Sequence, residues 1–129
     1  MIISLFRLFD FFLSPLGKCI DRKISASYYY SRSSKNDEVI FSSKGNWFEV
    51  GAARFKADVK TFKPIAEDIG KDNALIYYED KPQPHVDYNS FLVQGDLLQD
   101  KNNSYSRPTD YDASELVVVV NDNTSSNNG

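Results

Sequence analysis

Two stretches, Ala57-Asp58-Val59-Lys60-Thr61-Phe62 and Lys71-Asp72-Asn73-Ala74-Leu75-Ile76-Tyr77-Tyr78, decide how this chain is read. Each has an echo downstream. Val86-Asp87-Tyr88-Asn89-Ser90-Phe91 repeats the first at an offset of 29 residues, and Gln99-Asp100-Lys101-Asn102-Asn103-Ser104-Tyr105-Ser106 repeats the second at 28. Two independent landmarks at nearly one period mark an internal repeat. In the first landmark, Asp58 or Asp87 stands four residues before Phe62 or Phe91. That spacing suits a single helical turn whose free amides the Asp accepts, with the Phe dropping onto a sheet as a core anchor. In the second, Asp72-Asn73 and Asp100 with Asn102 are hairpin-turn residues, because Asp and Asn tolerate left-handed backbone and bond their own main chain. Leu75-Ile76-Tyr77-Tyr78, and Tyr105 in the echo, then read as strand by their branched and aromatic content.

Outward from this centre the signal weakens but keeps its type. Tyr111-Asp112-Ala113-Ser114-Glu115-Leu116 is a third copy of the first landmark, a further 25 residues on, and Ser34-Lys35-Asn36-Asp37-Glu38-Val39-Ile40-Phe41 is a degenerate copy of the second. Residues 38–42 and 47–50 flank Ser43-Lys44-Gly45-Asn46 and predict another hairpin. Tyr28-Tyr29-Tyr30 predicts an earlier strand. The unbroken apolar run 116–120 predicts a buried one. The expected fold is mainly β: repeated hairpins with short helical turns in an antiparallel sheet, in units of about 28–56, 57–85 and 86–120 within a domain spanning 21–120. Residues 121–129 carry no apolar anchor and are expected to be disordered.

The N-terminus is of another kind. Between Ile2 and Leu13 the polar residues are Ser4, Arg7 and Asp10, and Ser14 follows. Their spacing of three, three and four places them on one narrow stripe of an apolar helix, so residues 1–20 are expected to be that helix and a turn. Pro15 would end it near Ser14, and Gly17 would turn the chain. Such a helix is about 21 Å long, too short for a hydrocarbon core of roughly 30 Å. Arg7 and Asp10 inside the run speak against a secretory signal, and Lys18 before Cys19 speaks against a lipoprotein site. A helix packed on its own domain is the first reading; one lying in a membrane interface through residues 2–13 is the second.

Composition narrows the function classes. Nine Phe and eight Tyr in 129 residues favour pleated, half-buried surfaces. A net charge of −3, with no basic cluster longer than Arg22-Lys23, argues against nucleic acid. One cysteine, Cys19, excludes an internal disulfide, and one histidine, His85, weakens histidine-based catalysis and metal binding. Asp100-x-Asn102-x-Ser104 copies the start of a calcium loop, but Tyr105 stands where that loop needs Gly and Tyr111 where it needs Glu. His85 has Asp87 nearby but no Ser or Cys spaced to be its nucleophile. The acidic pairs Glu67-Asp68 and Glu79-Asp80 fall at element ends, where charges usually meet solvent.

The spacing of Ala-Asp-x-x-Thr-Phe, Asp-Asn and Tyr-Tyr resembles the DKNYY family of bacterial proteins, named for an Asp-Lys-Asn-Tyr-Tyr signature. Asp72-Asn73 with Tyr77-Tyr78 carries one copy, and Asp100-Lys101-Asn102 with Tyr105 another. Gly45-Asn46-Trp47-Phe48 fits upstream, so the resemblance spans about residues 28–116. Two departures stand out: Lys101 has no counterpart after Asp72, and the second Tyr of the last copy is Ser106. The resemblance implies a repeat fold and a family of unknown function.

From all this the chain is expected to be a non-catalytic module, with no catalytic, cofactor or metal residues, that binds a protein or envelope partner. Its landmarks Asp58, Phe62, Asp72, Asn73, Tyr77, Tyr78, Asp87, Phe91, Asp100, Asn102 and Tyr105 are assigned structural roles. The alternative is a small carbohydrate-binding or carbohydrate-active protein using Trp47, the tyrosines and the carboxylates. A location in the cytoplasm or against the inner membrane is favoured over secretion.

Overall fold

The computed structural model describes residues 14–32, 38–110 and 113–120. Its strands are short because turn residues interrupt every apolar run within a few positions. They form three four-stranded antiparallel sheets. The first holds β1 (Leu16–Cys19), β2 (Tyr28–Ser31), β3 (Val39–Phe41) and β4 (Ala53–Phe55). The second holds β5 (Lys63–Ala66), β6 (Ile69–Lys71), β7 (Ile76–Tyr78) and β8 (Lys81–Pro82). The third holds β9 (Leu92–Gln94), β10 (Leu97–Gln99), β11 (Ser104–Ser106) and β12 (Val117–Val118). Within each sheet every strand pairs with its sequence neighbour, so the repeating object is a whole four-stranded meander. The mainly β, antiparallel expectation holds.

Side-chain alternation on β7 joins the sheets. Tyr77 points into a core with Tyr28, Val39, Phe55, Ala57 and Phe62. Ile76 and Tyr78 point the other way, into a core with Ile69, Val86, Leu98, Tyr105 and Leu116. A strand's period of two sends successive residues to opposite faces, so β7 of the middle sheet is buried on both. The first core is aromatic: Tyr28 lies 5.1 Å from Phe62, and Phe55 5.2 Å from Tyr77, between ring centroids. Each fully buried ring of this kind contributes about 1.5–3 kcal/mol through burial.

The third sheet keeps the inward half of this pattern and drops the outward half. Tyr105 occupies the place of Tyr77 and is 4% exposed. Ser104 and Ser106 stand where Ile76 and Tyr78 stand, and both are exposed. Leu97, at the place of Ile69, is 43% exposed where Ile69 is fully buried. The second signature Tyr therefore belongs to the contact with the following sheet, and Ser106 replaces it on a sheet face that meets solvent.

Phe62 is buried as expected, and Gly70 makes room for it. A Cβ on Gly70 would lie 2.3 Å from the Phe62 ring. In the third sheet Leu98 occupies the position of Gly70, facing Tyr105 as Gly70 faces Tyr77. The space is thereby filled, and Phe91 is only partly buried.

Several expectations fail. Trp47–Val50 is not a strand but a short helix, α1. Lys44 and Gly45 take positive φ angles of 53° and 74° and turn the chain away from a hairpin path. Ser42 Oγ then donates to the Gly51 carbonyl at 2.9 Å, closing the excursion, and β3 pairs with Ala53–Phe55. The run 116–120 is not a buried strand either. Only Leu116 is buried, while Val117, Val118, Val119 and Val120 are 47%, 42%, 47% and 77% exposed on the sheet edge. Gly17 lies within β1 rather than in a turn: a Cβ there would sit 2.7 Å from the Tyr30 carbonyl oxygen. The apolar N-terminal helix is not borne out. Residues 1–13 lie outside the described residues, and Leu16–Cys19 is a strand paired with β2. The expected tail, 121–129, also lies outside them, as do parts of both weak repeat copies.

The Gly70 contact predicts that Gly70→Ala destabilises the protein by about 1–3 kcal/mol through overpacking. In a Phe62→Leu background the same change should cost at least about 1 kcal/mol less, because the two positions share one space. Urea unfolding of the four proteins measures the coupling.

Candidate functional site

The repeated polar residues meet in two equivalent clusters. Asp72 Oδ1 accepts the amides of Ala74 at 2.8 Å and Leu75 at 2.9 Å. Its Oδ2 accepts the Asp58 amide and the Tyr77 hydroxyl, each at 2.9 Å. Asp100 does the same one period later. Its Oδ1 accepts the amides of Asn102 and Asn103 at 2.8 Å, and its Oδ2 accepts the Asp87 amide at 2.8 Å and the Tyr105 hydroxyl at 2.6 Å. One carboxylate thus closes its own hairpin turn, anchors the helical turn that precedes the sheet, and orients the signature tyrosine.

A second shared bond locks the two landmarks together. Thr61 Oγ1 donates to Asp58 Oδ2 at 2.5 Å and accepts the Asn73 amide at 2.9 Å. In the next unit Ser90 Oγ donates to Asp87 Oδ2 and accepts the Lys101 amide at 2.9 Å. Lys101 therefore does have a counterpart, and it is Asn73. The position acts through its main-chain amide, so the side chain is free to differ. Asn102, aligned with Asn73 by residue type, corresponds in space to Ala74.

The electrostatics follow from these contacts. Burial alone raises the Asp100 carboxyl, but the Tyr105 hydroxyl and three amides outweigh it and bring the group down to about 2. At Asp72 burial is likewise outweighed, by the amides of Asp58, Ala74 and Leu75 and by Tyr77, and the carboxyl is lowered. The tyrosines move the other way: burial, then the bonded carboxylate, raises Tyr77 and Tyr105. Anions held by four donors each have no lone pairs directed at an incoming ligand. In the structure Asp100 closes the hairpin turn. Among the described residues no three His, Cys, Asp or Glu side chains are grouped as a metal site would require.

The acidic pair Glu67-Asp68, expected to meet only solvent, instead clasps both neighbouring sheets. Glu67 Oε2 accepts from Ser25 Oγ at 3.1 Å, the Ala26 amide at 3.0 Å and Ser27 Oγ. Asp68 takes the Arg107 guanidinium with two bonds, at 2.6 and 2.9 Å. Sequence reasoning also missed Gln83, which is 1% exposed. Its Oε1 accepts the Leu116 amide at 2.7 Å and its Nε2 donates to the Ser114 carbonyl at 2.9 Å. No local spacing points to this role, because only the fold brings residues 114–116 beside Gln83. His85 is exposed, and its Nε2 lies 2.9 Å from the Leu116 carbonyl oxygen. No contact joins it to Asp87 among the described hydrogen bonds.

One cleft deserves comparison with the carbohydrate alternative. Phe41, Val50, Gly51, Glu79, Asp80 and Lys81 contribute to the lining of a depression of about 400 Å³. Its carboxylates face a cation: Lys81 Nζ is 3.1 Å from Asp80 and 3.7 Å from Glu79. The signature tyrosines lie elsewhere, with Tyr77, Tyr78 and Tyr105 at most 8% exposed. No sugar-stacking platform forms from them.

Two outcomes are expected of the carboxylate clusters. Asp72→Ala leaves three amides and the buried Tyr77 hydroxyl without an acceptor and should cost at least about 3 kcal/mol. Asp100→Ala should cost less, because Asp100 is only partly buried where Asp72 is buried, so water reaches its donors more easily. Chemical unfolding compares the two. The acid dependence has a definite sign. A carboxyl whose folded pKa lies below its unfolded value of about 3.9 adds stability above that pH and loses it as pH falls toward about 2. Thermal melting between pH 5 and about 2 should show that loss, and Asp100→Asn should flatten it.

The comparisons with known proteins bear on this geometry. The family model of the DKNYY family matches residues 4–109. No curated protein and no solved structure matches. The matched span contains both carboxylate clusters and the tyrosines they hold, and it covers most of the chain: this protein belongs to the DKNYY family.

Proposed function

We propose that this DKNYY domain is a non-catalytic protein-binding module that receives an extended strand of a partner along the edge of its third sheet. The regular polar residues support the non-catalytic part. They are the positions a catalytic reading would choose, and their hydrogen-bonding capacity is spent on turns and on neighbouring sheets.

The exposed edge at Val117–Val120 carries the binding part. Val119 donates its amide to the Ser104 carbonyl at 2.8 Å. In an antiparallel ladder alternate residues point their amides to opposite sides, so the N–H and C=O of Val118 and Val120 point away from β11. The same outward groups of Leu116 are taken by Gln83 and His85, which sets one limit of the open edge. Four β-branched side chains flank it, and among the described residues no Lys, Pro or covering loop, the devices that usually blunt such an edge, stands along it. Strand addition uses these elements: main-chain bonds for affinity and alternate side-chain positions for specificity.

The reading is tested by titrating a soluble valine- and threonine-rich extended peptide into ¹⁵N-labelled protein. Amide shifts should concentrate at residues 117–120 and in β11. Val118→Pro removes an outward N–H without touching the β11 ladder and should abolish them while leaving the circular dichroism spectrum unchanged. Shifts centred on the Glu79–Asp80 cleft, or none anywhere, would refute strand addition.

A further inference from the structure

We infer that the turn after β1 docks on the surface of a bilayer containing anionic lipid, through Lys18, Arg22 and Lys23 with Ile24 beside them. The three cations, spread over six positions in sequence, line one open concavity of about 600 Å³ together with Cys19, Ile20 and Asp21. All three are exposed, and Ile24 next to them is 46% exposed.

The turn that presents them is held in place. The Asp21 carbonyl accepts the amides of Ile24 at 3.1 Å and Ser25 at 2.9 Å. The Asp21 carboxylate is bent back onto the Lys23 amide at 3.2 Å, so the one acid of the concavity is engaged with main chain. Ser25, Ala26 and Ser27 are clasped by Glu67. The cations thus stand on a braced loop.

Charge is distributed to match. In residues 1–32, Arg7, Lys18, Arg22, Lys23 and Arg32 stand against Asp10 and Asp21, giving +3, in a chain whose total is −3; the remainder carries −6. The turn with Lys18, Arg22 and Lys23 is attracted to an anionic plane and the acidic remainder of the chain is repelled from it, which orients the protein as well as binding it. An apolar side chain among cations suits a headgroup layer better than a phosphate polymer, because Ile24 gains an apolar environment only in the former. Nine apolar residues lie between Ile2 and Leu13, just ahead of the concavity in sequence. Among the described residues no helix is long and apolar enough to cross a membrane, and surface docking needs none.

The test uses the full chain in a vesicle co-sedimentation assay. Phosphatidylcholine vesicles are compared with phosphatidylcholine–phosphatidylglycerol vesicles at low and high ionic strength. The expected result is preference for the anionic vesicles, weakened by salt. Lys18→Glu, Arg22→Glu and Lys23→Glu together should lower partitioning at least about tenfold, from the usual attraction of each cation to an anionic surface. The milder triple change to Gln should lower it in the same direction, and circular dichroism confirms that both variants fold. Ile24→Ser should weaken binding further without changing its salt dependence. Equal partitioning to both vesicle types, or an unchanged triple-Gln variant, overturns the inference. So does retention on duplex DNA in preference to anionic vesicles at the same salt.

Discussion

A buried carboxylate cannot sit unpaired in a protein, and the architecture of each complete repeat is organised around meeting that constraint. Asp72 is 6% exposed and has four donors. Those donors come from a hairpin turn, from the helical turn one strand pair earlier, and from a tyrosine on the outgoing strand. Satisfying one anion therefore fixes three pieces of backbone relative to each other. Removing water from a carboxylate costs several kcal/mol unless such bonds replace it. The arrangement is all-or-none, which explains why Asp, Thr or Ser, and Tyr recur together at set distances rather than singly.

The repeat is built to be asymmetric along its stacking direction. Tyr77 and Tyr105 face the preceding sheet, and their hydroxyls hold the carboxylates. Tyr78 faces the following sheet and makes no bond to Asp72. These are different jobs. The first Tyr serves its own unit, and the second serves the contact with the following sheet, while Ser106 at the same place lies exposed. Ser106 is the consequence, and so are the exposed Leu97 and Ser104. The same logic links Gly70 to Phe62 and Leu98 to Phe91: each pair divides one volume between a sheet residue and a turn residue, once in each proportion.

Between sheets, polar clasps supplement the apolar contacts. Glu67 reaches the first sheet and Asp68 the third from a single hairpin turn. Tyr28 donates to the Glu79 carbonyl at 2.9 Å, and Tyr88 to the Asp72 carbonyl at 2.6 Å. Bonds of this kind add directionality that hydrophobic burial lacks, and they set the rotation of one sheet upon the next. The surface left over is uneven. It offers an exposed strand edge in the third sheet and a braced basic turn beside the first.

Much of this was legible in the residues alone. The period, the turn at Asp72 and Asp100, the burial of Phe62 and the strand at Tyr77 follow from local chemistry: Asp bonds backbone within a few residues, and alternation is a property of a single strand. Lys101 was misread because a main-chain amide does its work and leaves no trace in residue type. Trp47–Val50 was misread because its aromatic content suits a strand, while the positive φ angles at Lys44 and Gly45 that redirect it depend on closure by Ser42 and Gly51. Leu116 to Val120 was misread because an apolar run reports affinity for a sheet but not whether a neighbour covers it. Residue type and spacing alone set each unit's internal wiring, since those bonds span at most about one repeat. The use of Glu67, Asp68 and Gln83, the solvent-facing side of the third sheet and the gathering of Lys18, Arg22 and Lys23 in one concavity arise only in the folded molecule. Those depend on how sheets stack and turns close in space, which no local spacing encodes.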